Sequence, residues 1–302
     1  MSQPEIFGYE SPHDDYRTCS YYYETDRGVV LFDAQFHRSS AEELWEQIQS
    51  NTSGKLVWIV VSHAHPDHWF GLPVFRKHAP DAIVISSDAV AKEMRDTSVA
   101  RLALCRRRYG KECPDGLDAL VYPDITFTGQ ATIGEGDTRL ELLEYGASEA
   151  PVNVVGWMPE QRALFVGDIV FNGQHLYFPD RALINWYSIL QDFERLGPEV
   201  ILTGHMDRCP PSLINENKRW IAKFLGLMAE EVPPGADMED VDTLDDAAKA
   251  RVVAGMRAAF PDWDDPSFVD GTVLETGMIG TRSEVEGLKY ARAYVEEADA
   301  VT

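Results

Sequence analysis

The densest group of reactive side chains in the sequence is a His-x-His-x-Asp-His run over residues 63–68, directly after an apolar stretch. Three imidazoles and a carboxylate are costly to gather beside a buried strand unless a cation compensates them. In extended backbone, residues two apart point the same way, so His63 and His65 can hold one metal ion. The proline that follows forces a turn, which lets Asp67 and His68 reach a second ion. The spacing therefore predicts a site for two metal ions.

This loop resembles the metal-binding signature of the metallo-β-lactamase-fold superfamily. The resemblance covers roughly residues 18 to 210 of the sequence. It implies an αββα sandwich of class α/β (α+β), in which one or two metal ions lie at the edge of two facing sheets.

The resemblance also implies roles for three residues outside the loop. Asp33 matches the aspartate that supports the metal loop, and Asp168, in a Gly-Asp pair, matches the carboxylate that bridges both ions. His205, in a Gly-His pair, matches the late histidine that completes the second site. Each of these residues follows a predicted strand, so the match is more specific than a single short motif.

One part of the sequence departs from the family pattern. The family usually has Gly-His-Thr before its next strand, and that histidine is the third ligand of the first site. Here residues 146–151 read Gly-Ala-Ser-Glu-Ala-Pro. Glu149 resembles the glutamate that replaces this histidine in the alkylsulfatase branch, whereas the diiron oxygenase branch has its glutamate at the position that here remains His65. Two interpretations stay open: Glu149 is a ligand, or it is a solvated carboxylate beside a weakened or empty first site.

The complete resemblance implies two sets of ligands that share one carboxylate. Oxygen-rich sets make iron or manganese more competitive with zinc than a three-histidine set does. We therefore expect two divalent ions, zinc in the first instance, with iron or manganese as alternatives. The first set is His63, His65, Glu149 and Asp168, and the second is Asp67, His68, Asp168 and His205.

A metallohydrolase of a small-molecule ester, lactone, thioester, amide or sulfate is the function that these residues predict. The ions would lower the pKa of a shared water, and the resulting hydroxide would attack the substrate's carbon or sulfur. Asp67 is expected to take a proton as the tetrahedral intermediate collapses. The alternatives are a diiron oxidase or oxygenase on the same fold and a non-catalytic, metal-binding relic.

His175 is a further candidate, because residues 172–175 read Asn-Gly-Gln-His after Asp168. A similar Asn-Gly-x-His follows the bridging aspartate in several hydrolase-like branches of the family. We interpret His175 as a donor to the substrate or its oxyanion, with a structural hydrogen bond as the alternative. We expect the nearby aromatic residues to be core residues rather than walls of the pocket. They are Trp69, Tyr177, Phe178 and Trp186.

The elements that must position these residues alternate short apolar runs with amphipathic stretches, which indicates a mixed sheet system with helices outside. A catalytic domain is predicted over residues 1–220, and a helical C-terminal extension, serving as a lid or dimer element, over 221–302. Strands are predicted at 29–32, 55–61, 82–85, 140–144, 152–157, 163–166 and 200–202. Helices are predicted at 40–49, from a Ser40/Glu43 capping box, at 88–94, 184–196, 244–260 and 284–298, with a linker at 233–246.

Charge and hydropathy argue against some classes of binding partner. Among 302 residues, 50 acidic and 27 basic side chains give a net charge of −23, which repels nucleic acid and anionic membranes. The longest apolar run, residues 56–61, is far shorter than the roughly 20 residues that cross a bilayer. With no recognisable signal peptide at the start, a cytoplasmic protein with a small-molecule substrate is expected, and a homodimer is compatible with the sequence.

Overall fold

The computed structural model describes residues 4–13, 17–178, 182–232 and 244–264. In these ranges the strands are β1 (Ile6–Glu10), β2 (Cys19–Thr25), β3 (Gly28–Phe32), β4 (Leu56–Val60), β5 (Ile83–Ser87), β6 (Ile125–Phe127), β7 (Gln130–Ile133), β8 (Leu140–Tyr145), β9 (Asn153–Met158), β10 (Ala163–Gly167) and β11 (Val200–Thr203). The helices are α1 (Arg38–Asn51), α2 (Pro66–Trp69), α3 (Leu72–His78), α4 (Asp88–Tyr109), α5 (Leu183–Leu196), α6 (Ser212–Glu231) and α7 (Asp246–Ala259). None of the helices in the described ranges is both long and apolar enough to cross a bilayer.

The strands form two sheets. One has six strands in the order β1-β2-β3-β4-β5-β6, and the other has five in the order β11-β10-β9-β8-β7. Strands β3 to β6 run parallel to one another, and β10 runs parallel to β11. The carboxyl ends of parallel strands meet at one edge of a sheet, so the segments after β3 and β4 lie together, as do those after β10 and β11. Asp33, the loop of residues 63–68, Asp168 and His205 each follow one of these strands, whereas Glu149 follows β8.

The two sheets pack face to face, and the residues of β10 show how each strand serves two layers. Phe165 points into the core between the sheets, where its ring stacks on Phe32 at a centroid distance of 5.0 Å. Leu164 and Val166 point the other way, into a second core beneath α5, α6 and α7. Helices α1 and α4 contribute to the core on the side of the six-stranded sheet. The αββα sandwich that the resemblance implied is therefore confirmed.

Several predicted elements differ from the observed ones. The helix predicted at 88–94 continues to Tyr109 as α4. The capping box at Ser40 is wrong, because α1 begins at Arg38 and the Ser40 hydroxyl instead pairs with Ser11 at 2.7 Å. Strands β1, β2, β6 and β7 had no predicted counterpart.

The helical extension is continuous with the rest of the fold. The division expected after residue 220 falls inside α6, which packs between α5 and α7. Trp220, Phe224 and Met228 on α6 are fully buried in the core beneath the five-stranded sheet. The predicted helix at 284–298 and most of the predicted linker lie outside the described residues.

Candidate metal centre

Asp33 organises the loop that carries the histidines. It follows β3 in a left-handed backbone conformation (φ 62°), and only 1% of its surface is exposed. Its carboxylate accepts hydrogen bonds from the backbone N–H of Ser62 (2.8 Å), from the Ser62 hydroxyl (2.8 Å) and from Nδ1 of His68 (2.9 Å). The bond from Nδ1 leaves Nε2 of His68 as the atom that faces the other clustered side chains.

The first group of donors contains His63, His65, Glu149 and Asp168. Nε2 of His63 lies 3.1 Å from Nδ1 of His65, 3.5 Å from Oε2 of Glu149 and 3.7 Å from Oδ2 of Asp168. Oε1 of Glu149 lies 3.0 Å from Nδ1 of His65. Glu149 is 2% exposed, so it is not the solvated loop carboxylate of the alternative interpretation.

The second group contains Asp67, His68, Asp168 and His205. The proline turn expected after His65 is the short helix α2, whose first turn carries Asp67 and His68. Nε2 of His68 lies 3.2 Å from Oδ2 of Asp67 and 3.3 Å from Oδ2 of Asp168. Nε2 of His205 lies 3.3 Å and 3.0 Å from the same two oxygens. Asp168 therefore belongs to both groups.

An unmatched polar atom in this cluster tests whether a cation fits there. In each group the potential ligand atoms lie within 4.8 Å of one another. Oδ1 of Asp168 is buried and makes no hydrogen bond within the described protein, and Nε2 of His68 faces the carboxylate oxygens of Asp67 and Asp168. A buried polar atom without a hydrogen bond is rare and costly, and a bound cation would satisfy it. Donor types, spacing and the unmatched atom therefore fit two divalent ions.

The charges in the cluster are strongly coupled. Burial lowers the pKa of His63 well below its ordinary value. Burial would also lower the pKa of His205, but the carboxylate of Asp168 raises it to about 9, and the pKa of His68 is likewise held high by Asp168 and Asp67. For Asp168, burial is outweighed by His205 and His68, which hold its pKa well below the usual range. Without a cation, these raised pKa values favour the protonated forms of His68 and His205.

The segment that carries Glu149 is held by two asparagines that the sequence analysis missed. Nδ2 of Asn153 donates to Oγ of Ser148 at 2.9 Å and to the carbonyl of Ala150 at 3.1 Å, so it ties both neighbours of Glu149. Nδ2 of Asn185 on α5 donates to the carbonyl of Ala147 at 2.7 Å. No spacing rule identifies such residues, because their partners are backbone atoms and a serine.

A narrow cavity, too tight to hold a water molecule as it stands, lies beside the second group. It is lined by Asp168, Val170, Phe171, Asn172, Gln174 and His205. His175 is not part of this lining. It is 2% exposed, and its Nδ1 accepts a hydrogen bond from Nε1 of Trp220 at 2.9 Å. His175 thus makes a hydrogen bond of the structural kind, and its role as an oxyanion donor stays a prediction. Trp69, Phe178 and Trp186 are core residues.

Comparison with known proteins places this geometry in a family. Residues 14–205 match the family model described as the metallo-beta-lactamase superfamily. A curated relative, the metallo-beta-lactamase type 2 of Bacillus sp. (strain 170), is 23% identical over 146 residues. That alignment covers 48% of this chain and 48% of the relative, so it spans about half of the length of each.

Solved structures share the fold at low sequence identity. A metallo-beta-lactamase from Pontibacter korlensis has a TM-score of 0.58 and 21% identity, covering 74% of this chain and 96% of its own. The DIM-1 metallo-beta-lactamase exposed to ceftazidime has a TM-score of 0.57 and 15% identity, with coverages of 74% and 94%. A double mutant of the sec-alkyl sulfatase PisA1 has a TM-score of 0.58 and 17% identity, covering 90% of this chain and 50% of that protein.

Proposed function

Because this chain belongs to the metallo-beta-lactamase superfamily, we propose that it is a dinuclear metallohydrolase that acts on a small molecule. The superfamily includes many metallohydrolases and typically binds divalent metal ions. The observation that carries the proposal is the pair of buried donor groups that share Asp168. Zinc is the ion that we propose, and iron or manganese are the alternatives that the oxygen-rich donor sets favour.

The residues that would hold the ions are those of the two groups, with Asp33 supporting the loop between them. When bound, two divalent cations supply an acidified water and polarise an oxygen of the substrate. Asp67 is 7% exposed and lies at the end of the cluster with His205. We propose that its carboxylate holds the proton that is transferred when the substrate's bond breaks.

The substrate would bind at the side of Asp168 and His205, where the narrow cavity must widen to admit it. Val170 and Phe171 provide apolar surface, and the amides of Asn172 and Gln174 can both donate and accept hydrogen bonds. This combination suits a neutral acyl or alkyl group next to the bond that is cleaved. Ester, lactone, thioester, amide and sulfate bonds all meet this description, so the test panel must contain each.

Glu149 supports the sulfate ester as a member of this panel. Its buried carboxylate takes the place of the third histidine usual in the family, as in the alkylsulfatase branch that the sequence resembles. It also argues against the non-catalytic relic, because a relic has no need to keep an acidic side chain pointed at His63 and His65. The diiron oxidase remains the alternative function. The identity of the bound metal distinguishes it from the hydrolase.

The experiment measures metal content and hydrolysis on the same preparations. Protein purified without added metal should contain close to two equivalents of divalent ion by mass spectrometry, and chelation should abolish turnover that zinc restores. Glu149→Gln should lower the content towards one equivalent, whereas the exposed Glu46→Gln on α1 should leave it unchanged. Undiminished hydrolysis by metal-free protein would refute the proposal. Bound iron with a visible oxo-bridge band and dioxygen consumption would establish the oxidase instead.

A further inference from the structure

The cavity beside the metal centre is shaped by a short segment that we call the pocket loop, residues 171–175. Phe171, Asn172 and Gln174 of this loop line the cavity. Asn172 also donates from Nδ2 to the carbonyl of Met206 at 2.9 Å, which ties the loop to the segment after His205. The inner side of the loop thus faces the metal centre, and its other side faces the helical region.

Asn217 on α6 holds the first residue of the pocket loop. Its side chain is fully buried, and its Oδ1 accepts from the backbone N–H of Phe171 at 2.9 Å. Its Nδ2 donates to the carbonyls of Phe171 and Leu213, both at 2.9 Å. A buried amide that is satisfied by a loop's backbone fixes the position of that backbone, because breaking the pair would leave polar atoms unpaired.

Trp220, one turn further along α6, holds the last residue of the loop. Its fully buried indole donates from Nε1 to Nδ1 of His175 at 2.9 Å. An indole N–H can only donate, so Nδ1 must be the accepting nitrogen of the ring. A neutral His175 therefore carries its proton on Nε2, and the hydrogen bond selects that tautomer.

The segment after α7 closes the loop from another direction. The N–H of His175 donates to the carbonyl of Asp264 at 2.9 Å, and the N–H of Asp264 donates to the carbonyl of Gly173 at 3.1 Å. The ring of Trp263 lies 6.3 Å from that of His175, centroid to centroid. Helix α6 and the segment after α7 thus contact the outer side of a loop whose inner side lines the cavity.

We propose that Asn217 and Trp220 are positioning residues that hold the pocket loop beside Asp168 and His205, so that α6 determines how the narrow cavity widens, and hence selectivity, without contacting the substrate. The inference rests on the proposed function only in taking the cavity as the substrate's binding place. It assigns to His175 the role of an anchor for the pocket loop. Asn217 and Trp220 bond to Phe171 and His175, which belong to neither donor group, so metal content should not depend on them.

The test compares Trp220→Phe, which removes the donor but keeps an aromatic ring, with Met228→Leu as the control. Met228 is equally buried on α6, and leucine has a similar volume. Trp220→Phe should keep the metal content of the native protein. For acyl esters of increasing chain length, it should change the KM ratio of the longest to the shortest about fivefold, the effect of one hydrogen bond. The kcat values should change less, and Met228→Leu should alter neither.

A second measurement does not require activity. The ¹⁵N chemical shifts of the His175 ring report its tautomer, and Trp220→Phe should move the proton population towards Nδ1. In Asn217→Asp, which keeps an acceptor but loses the donor, the Phe171 and His175 amides should exchange faster with deuterium. Native selectivity, tautomer and exchange in both variants would overturn the inference. Failure of the proposed function appears differently, as native protein with no metal-dependent turnover, and the tautomer and exchange data then still show whether Asn217 and Trp220 hold the pocket loop.

Discussion

Asp33 shows at the scale of single residues that the metal centre depends on side chains that are not themselves ligands. Four of the seven clustered donors, those of residues 63–68, follow a spacing that can be read in the sequence, because a metal loop requires particular residue types at particular positions. Asp33 and the other three donors could be assigned only through resemblance to a family. Ser62 and Asn153, which hold His63 and the neighbours of Glu149, were not predicted, because serine and asparagine at such positions have many other uses.

Replacing Asp33 with asparagine should weaken metal binding without removing a ligand. Its carboxylate accepts three hydrogen bonds, and an amide would turn a donor towards groups that are themselves donors. Loss of such a supporting contact typically lowers metal affinity about 10- to 100-fold. Asparagine tolerates the left-handed backbone, so that effect does not confound the result.

Competition with a chromogenic chelator measures this change, and Asp26→Asn in an exposed turn serves as the control. Native affinity in Asp33→Asn would show that the carboxylate's charge is dispensable.

Metal binding should release protons and strengthen as the pH rises. In the metal-free protein the pKa of His205 is raised to about 9, so its ring is protonated at neutral pH, and His68 is shifted in the same direction. A cation must displace these protons, which makes the apparent affinity rise about tenfold per pH unit for each proton released, until the pH passes the raised values. The carboxylates of Asp67 and Asp168 have lowered pKa values and are already ionised.

Titration calorimetry in two buffers of different ionisation enthalpy measures the protons directly. Equal binding heats in the two buffers would contradict the expectation.

At the scale of elements, the strands that carry the site were the easiest to predict. Strands β3, β4, β10 and β11 are buried on both faces or nearly so, and such strands appear in the sequence as short apolar runs. Strand β2, with the sequence CSYYYET, is also buried, but tyrosines and polar residues conceal it. Strands β6 and β7 are short, and most of their residues are exposed or half-buried, so they have no apolar run to recognise.

Gly204, between β11 and His205, should not tolerate a methyl group. A Cβ atom there would clash with Oδ1 of Asp168 and would lie 2.9 Å from Cε1 of His68. Gly204→Ala should therefore displace both side chains, lower metal content and cost about 1–3 kcal/mol of unfolding free energy, as overpacking usually does. Gly226→Ala is the matched control, because a Cβ atom meets nothing within 4 Å at that position on α6. It should stabilise the protein by about 0.5–1 kcal/mol.

Urea unfolding together with metal analysis distinguishes the two glycines. Native stability and metal content in Gly204→Ala would mean that the turn has room that the structure does not show.

At the scale of the whole molecule, the sequence indicated helices beyond residue 220 but not their relation to the site. The contact of α6 with the pocket loop depends on tertiary packing between residues 46 positions apart, such as Phe171 and Asn217. Periodicity reports which face of a helix is apolar, but it does not report which loop that face meets. For this reason the boundary predicted at residue 220 cut through α6.

Two of the four thiols, those of Cys19 and Cys209, should be protected from reaction in the folded protein. All four cysteines are free and buried, and burial raises the pKa of both Cys19 and Cys209 to about 12. Only thiolates react quickly with aromatic disulfide reagents, so at pH 8 these two should remain unlabelled until the protein unfolds. Cys19→Ser and Cys209→Ser should each remove one thiol from the count in denaturant and none from the rapid count in buffer. Rapid labelling of either in the native protein would contradict the buried placement.

Because Asp168 belongs to both donor groups, bound ions would also affect the stability of the fold. Each group draws on the loop after β4, in the six-stranded sheet, and on segments of the five-stranded sheet that follow more than 80 positions later. A cation bound by either group would thus act as a reversible cross-link that closes a long loop, much as a disulfide does. Depleting the ions would then weaken the contact between the two sheets, so that chelators lower the stability of the fold as well as the activity.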